Sequence, residues 1–277
     1  MVGSVMSRKS FFFWVLMILV LVVVLFPLYW ILITALKTPL ENISPIPTFF
    51  PRKITLMNFA GVITGGFFRN LVNSLFVAFT STLFSLVLAF FASYALVRYK
   101  FPFKINIIFL IWVLVVKILP PMVLSIPLYT LFTKVKLINN LWGLILVNQV
   151  YTLPYCIWML FGFMKGMPIE FEQAAEIDGA SKMKTVTNVV IPLSSSGIVA
   201  TAIFSIIIAW DEFLFALLFI RTPRLQTLPL KIVSFITEYE TLWGELMAIG
   251  LLATLPVLLF SGYYYKRLTE GFSLGLK

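Results

Sequence analysis

The 277-residue sequence contains no histidine and a single cysteine, Cys156. These absences exclude a disulfide framework within the chain, a Cys/His zinc site and a Ser-His-Asp triad. Charge is scarce as well. Charged residues make up 12% of the chain, against about 25% in a soluble domain. No phosphate loop of the form G-x-x-x-x-G-K-[ST] is present. The nearest match, Lys184-Thr185, follows Met183 and has Asp178 where the first glycine should stand. A chain without that loop is not expected to hydrolyse ATP, and no metal or cofactor site is expected in it.

What remains is strongly apolar. Hydrophobic residues reach 61%, with 28 Phe and 7 Trp, and the mean hydropathy is +1.02. The composition predicts an all-α, multi-pass membrane protein with residues 1–277 forming one membrane domain. The net charge of +10 comes from basic residues spread along the loops. That distribution reads as membrane-flanking charge, with nucleic acid the poorer reading. Arg8 and Lys9 precede an uncharged run from Phe11 to Leu36. The run is too long for a signal-peptide core and no small-residue cleavage site follows, so a retained first span is expected.

A helix needs about 20 apolar residues to cross the hydrocarbon core. Six segments qualify: 11–36, 71–97, 105–132, 141–163, 197–220 and 244–265. Pro120-Pro121 remove two adjacent backbone donors from the third, which predicts a kink or break there. Pro154 and Pro256 are candidate kinks in the fourth and sixth. Eleven loop Lys and Arg fall on one side and nine on the other. The cluster Arg98–Lys104 and the pair Lys266-Arg267 favour the first side as cytoplasmic, with both termini inside. The first outer loop carries Pro39, Pro45, Pro47 and Pro51 and is expected to be extended and ordered by packing.

The exception to this apolar pattern is the loop of about 164–196 between the fourth and fifth spans. Glu170, Glu172, Glu176 and Asp178 supply four of the eleven acidic residues. Pro168 suits a first helical turn, and Glu170 and Glu172 suit the positive end of a helix dipole. Phe171, Ala174, Ala175 and Asp178 follow helical spacing and form one face that is aromatic, then small, then acidic. Gly179 is placed to end that helix in a left-handed conformation, Ser181 to cap the next, and Pro192 to end or kink it. An amphipathic helix lying on the membrane would favour a basic polar face and a wide apolar one. Here the helix is acidic and its apolar face is mostly alanine, which favours docking on a protein.

The segment resembles the EAA motif of membrane subunits of ATP-binding-cassette importers: Gln173-Ala174-Ala175, then Gly179, then Val189-Val190-Ile191-Pro192. It departs from that motif at Gln173, where Glu is usual, and at Val189 and Ile191. Pro51–Phe59, Asn73-Ser74, Pro120-Pro121, Ile126–Tyr129, Trp210–Phe213 and the final KRLTEGFSLGLK are similar to the carbohydrate branch, specifically its second, maltose-type permease. Asp211 stands where that branch usually has Asn.

The resemblance implies a six-span permease in the cytoplasmic membrane of a bacterium or archaeon. It implies a second permease as heterodimer partner, two ATPase subunits that bind ATP and Mg, and an external solute-binding protein. The loop would be a coupling helix docking on an ATPase through Glu170, Phe171, Glu172, Gln173, Ala174, Ala175, Asp178 and Gly179.

Polar residues inside the spans pose a separate question, because a charge at mid-membrane costs about 2.5–3.5 kcal/mol. Asn73, Asn148, Gln149, Tyr151, Asp211 and Glu212 are candidates for the solute pathway. Interhelical hydrogen bonding is the commoner use of such amides. Asp211 and Glu212 divide evenly between a pathway and a structural ion pair, and Lys117 leans to a structural pair. Three rival functions remain, one of them a membrane scaffold or assembly factor for which the polar loop would be only a docking site. An ion-coupled secondary carrier would transport without an ATPase, and an importer of a non-sugar solute such as glycerol phosphate would share the coupling loop.

Overall fold

The computed structural model describes residues 3–273, with side chains from Ser10 to Leu259. Lys266-Arg267 with the rest of the KRLTEGFSLGLK tail, and Arg8 and Lys9, therefore lie outside the described side chains, as does the charge argument built on them. Among the described residues the chain is helical, and its one β-bridge pairs Ile236 with Thr241. The helices are α1 (Gly3–Leu36), α2 (Pro39–Asn42), α3 (Met57–Thr64), α4 (Phe67–Arg98), α5 (Ile105–Ile118), α6 (Pro121–Lys134), α7 (Leu141–Val147) and α8 (Gln149–Lys165). They continue as α9 (Glu170–Ile177), α10 (Lys182–Thr185), α11 (Ile191–Leu193), α12 (Ser195–Trp210), α13 (Leu214–Phe219), α14 (Leu228–Val233) and α15 (Trp243–Ser273).

Two helices are long and apolar enough to cross a membrane alone, Ser10–Leu36 and Phe67–Arg98. Three further crossings would need bent pairs. Pro102–Ile118 and Pro121–Lys134 meet at 97°, Leu141–Val147 and Gln149–Lys165 at 42°, and Lys182–Leu193 and Ser195–Trp210 at 70°. The break in the third predicted span falls at the double proline. Leu119 and Pro120 adopt extended backbone, with ψ of 129° and 128°, because Pro120 and Pro121 have no N–H to continue the ladder.

The fourth span bends at Asn148 and not at Pro154, which is buried inside α8. The expected span 197–220 is also interrupted: α12 ends at Trp210, and Asp211–Phe213 separate it from α13. α15 stays helical through Pro256, and its described apolar stretch is Trp243–Leu259.

The chain forms two compact units. One is Met1–Phe68 with Ile232–Leu255, the other Arg69–Lys231 with Pro256–Lys277. In the first, the proline-rich segment after α1 is ordered by polar contacts, and Pro39 opens the short α2 where extended chain was expected. Lys37, buried over the Trp30 ring at 4.9 Å, donates to the Thr48 carbonyl. The Glu41 carboxylate accepts from the Thr48 hydroxyl at 2.6 Å and from the Arg52 amide at 3.0 Å. Asn58 donates to the carbonyls of Ala35 and Lys37, both at 2.8 Å. Its side chain occupies the space a Cβ would need at Gly244, 2.5 Å away.

The second unit holds two apolar clusters. Val77, Phe132, Ile145, Phe215 and Phe219 centre one of them. Phe90, Leu96, Val113, Ile157, Leu160, Met164, Val186 and Val190 make the other. Val186 and Val190 belong to the polar loop, so the loop is seated on the bundle by its own buried valines, at the contacting ends of α4, α5 and α8.

Candidate functional site

The loop at 164–196 folds as its sequence signals require. Helix α9 begins at Glu170, two residues after Pro168, with Glu170 and Glu172 in its first turn. It ends in a Schellman arrangement: the Gly179 amide donates to the Glu176 carbonyl and the Ala180 amide to that of Ala175. Gly179 has φ of +84°, a conformation that a Cβ disfavours. The Ser181 hydroxyl accepts from the Lys184 amide and caps α10. Between α10 and α11 the chain widens into a π turn at Val186–Val190, where the Ile191 amide reaches back to the Val186 carbonyl. Pro192 lies two residues beyond that turn. It has no N–H for the Asn188 carbonyl and its ring crowds that oxygen, which accounts for the loosened turn. The 70° bend into α12 follows.

Most of the expected face is open. Glu170, Phe171, Gln173, Ala174, Asp178 and Gly179 are exposed, and Ala175 is half-buried. Three apolar residues that the pattern argument overlooked enlarge the exposed surface of the loop. Ile169 is 42% exposed, Ile177 85% and Met183 65%. The available signal was that each is a lone apolar residue between polar or proline neighbours in an otherwise polar loop.

Glu172 does not belong to this face. It is buried at 5% exposure, and it points into its own chain. One carboxylate oxygen accepts from Arg98 Nε at 2.6 Å and the other from the Tyr94 hydroxyl at 2.8 Å. A second guanidinium nitrogen of Arg98 donates to the Met167 carbonyl at 3.1 Å. Lys182 lies over the Tyr99 ring at 5.7 Å. The C-terminal end of α4 thus grips the loop at three places. In the sequence Arg98 served only as a topology marker, and no local pattern links it to a residue 74 positions away.

The intramembrane candidates meet a different fate. Asn73 donates to the carbonyls of Arg224 and Gln226, at 2.9 and 3.0 Å, and Ser74 accepts from the Leu228 amide at 2.7 Å. Gln149 donates to the carbonyls of Ser81 and Ile145 and accepts from Ser85 at 2.6 Å. Tyr151 packs against Phe215, ring centroids 5.4 Å apart. The buried Glu212 carboxylate accepts from the Phe215 and Ala216 amides, at 2.6 and 3.1 Å, and so caps α13. It forms no pair with Lys117, which instead lies 5.3 Å from the Tyr155 ring. Asn73, Gln149 and Glu212 therefore direct their polar atoms at their own chain. Asp211 is exposed at the end of α12, and Asn148 is buried at the bend with no protein partner for its amide.

Comparison with known proteins places this exposed, braced loop and its bundle of broken helices in a family. Residues 57–273 match the family described as the inner membrane component of binding-protein-dependent transport systems. The chain belongs to this family. It is the permease subunit of an ABC importer, a transport component that lies in the membrane as a multi-pass protein.

Curated relatives cover the permease almost from end to end. It is 34% identical over 253 residues to the sulfoquinovosyl glycerol transport system permease protein of Agrobacterium fabrum, covering 91% of this chain and 88% of that one. It is 32% identical over 251 residues to the diacetylchitobiose uptake system permease protein of Streptomyces coelicolor, covering 90% of each. Against the trehalose/maltose transport system permease protein of Thermococcus litoralis it is 31% identical over 263 residues, covering 93% of each. Among solved structures, the fold is similar to a chain from a bacterial ABC transporter that imports the acidic polysaccharide alginate. The TM-score is 0.79 with 16% identity, covering 94% of this chain and 96% of that one.

Proposed function

We propose that this permease forms half of the translocation path of a carbohydrate importer and couples to a separate cytoplasmic ATPase through α9. The observation that carries the reading is the construction of α9 itself. It is a short helix with exposed Phe171, Ala174, Ile177 and Asp178, small at its middle so that a partner surface can approach its backbone, and firmly braced from behind by Arg98 and Tyr94. A loop that only joined two spans would need neither the exposed apolar side chains nor the brace.

On this reading Glu170, Phe171, Gln173, Ala174, Ala175, Asp178 and Gly179 form the docking surface, with Ile169, Ile177 and Met183 extending it. The ATPase subunits bind ATP and Mg, and their closure displaces α9. The displacement passes through α10 and α11 into α12 and rocks a bistable bundle between inward- and outward-facing states. A second, distinct permease completes the path, two ATPases drive it, and an extracytoplasmic binding protein delivers the solute. Six spans would leave both termini on the same side as the 164–196 loop, and the basic cluster Arg98–Lys104 supports that side as the cytoplasmic one. The sugar assignment is supported by the solutes in the names of the relatives above.

The test is reconstitution with the partner permease, ATPases and binding protein. Ala174→Trp and Gly179→Pro should abolish solute-stimulated ATP hydrolysis while the protein still inserts in the membrane. Uptake that persists without any ATPase subunit, with both variants silent, would instead identify an ion-coupled carrier.

A further inference from the structure

The chain enters α9 from α8 through a turn at Gly166, and leaves it towards α12 through the turn at Gly179. Both covalent routes run through short turns, which bend more readily than helices. A third, non-covalent route avoids them. The single Arg98 guanidinium holds Met167, on the turn before α9, and Glu172, in its first helical turn. Tyr94, one helical turn earlier on α4, holds the other Glu172 oxygen. Lys182 adds the start of α10 to the same end of α4 through the Tyr99 ring. The Arg98 and Glu172 side chains are only 10% and 7% exposed. A charge pair this sheltered resists opening, because separation leaves two desolvated ions without partners. Two acceptor oxygens engaged by two donors from successive turns of one helix also fix orientation as well as distance.

We propose that the Arg98–Glu172–Tyr94 cluster is a joint that makes α4 move as one body with the coupling helix, so that the ATPase stroke enters the bundle through α4 as well as through α12. Glu172 is thus a positioning residue that acts on its own chain. The proposal rests on the coupling role of α9 stated above. It distinguishes Glu172 from Phe171 and Ala174, which face the partner. Damage to the exposed face loosens docking, whereas damage to the joint leaves docking intact and dissipates the stroke.

The experiment uses the complete reconstituted importer and reads solute transported per ATP hydrolysed, beside co-purification of the ATPase. Glu172→Gln and Arg98→Met should retain the ATPase and hydrolyse ATP, while the transport-to-hydrolysis ratio falls about tenfold, within the range of site-to-site couplings. Tyr94→Phe, which removes one of the two holds on Glu172, should lower the ratio by a smaller factor. The pair Arg98→Cys with Glu172→Cys, in a Cys156→Ser background, should recover the ratio when bridged by a short bifunctional thiol reagent. A joint needs only to stay closed.

Equal losses of transport and hydrolysis, or no recovery on bridging, would overturn the joint and leave the cluster a local brace. Ala174→Trp in the same preparation separates the two levels. If it leaves solute-stimulated hydrolysis unchanged, the coupling role of α9 fails. If it abolishes stimulation while Glu172→Gln keeps a normal ratio, the joint alone fails.

Discussion

In the loop at 164–196, the side chains of Glu170, Gln173 and Asp178 are exposed, and one polar cluster turns inward to clamp the loop to α4. Between α4, α8 and α12, the Ser85 hydroxyl bonds both the Gln149 side-chain oxygen and the Thr152 hydroxyl, and Thr82 meets Ser205 at 3.2 Å. The two regions hold similar residue types with opposite assignments. Outside the bilayer water can satisfy a polar group, so its side chain is free to serve a partner. Inside, nothing but protein can satisfy it, so polar groups close on one another and on backbone carbonyls. A polar residue within a span is therefore weak evidence of a solute site, while an exposed apolar one on a cytoplasmic loop is stronger evidence of docking.

The comparison is broken most severely by Glu172→Ala, which leaves Arg98 sheltered without its partner. Removing one member of a buried pair costs about 3–5 kcal/mol, so the unfolding temperature of the purified permease should drop clearly. Next is Gln149→Leu. It strips partners from Ser85 and from the Ser81 and Ile145 carbonyls, and should cost about 1–3 kcal/mol by denaturant titration.

Gly179→Ala forces a Cβ into the left-handed region and should cost about 1 kcal/mol, although no atom crowds that Cβ. Ala174→Trp should change stability by no more than about 0.5 kcal/mol while stimulated hydrolysis is lost, which sharpens the division between outward and inward faces.

The smallest effect concerns Glu41 in the first unit. The Thr48 hydroxyl hydrogen bond, first, and the Arg52 amide and nearby Lys37 and Arg52 charges hold its carboxyl below the ordinary 4.5, against a smaller opposing effect of burial. Its contribution to ordering the segment is complete above the ordinary value and disappears as the pH falls through the lowered one. The protection of the Arg52 N–H against exchange, relative to an unstructured amide at the same pH, followed from pH 6 down to pH 3, should fall only at the acid end.

Much of the loop was legible in advance because its signals are local. A glycine required at φ of +84°, a serine cap three residues before an amide and a proline that loosens the turn before it each act over one turn. The third-span break was legible for the same reason, since two adjacent prolines cannot continue a ladder. The bend at Asn148 was not, because no residue there forbids a helix. Glu212 stood evenly between a solute pathway and an ion pair, and it forms no ion pair among the described residues. Its partners are amides three and four residues ahead, exposed only because the chain stops being helical at Asp211.

By itself, then, the sequence determined that this protein is an all-helical membrane permease, where its longest apolar helices lie and which loop departs from the apolar pattern to carry short capped helices. Those properties follow from hydropathy and from short-range backbone rules. Only the tertiary structure decided that Glu172 faces Arg98 and Tyr94 instead of the partner, and that Asn73 and Gln149 serve their own backbone. Pairings between residues 74 or 153 positions apart depend on which helix ends meet. That is set by the packing of whole helices, and no window of sequence contains it.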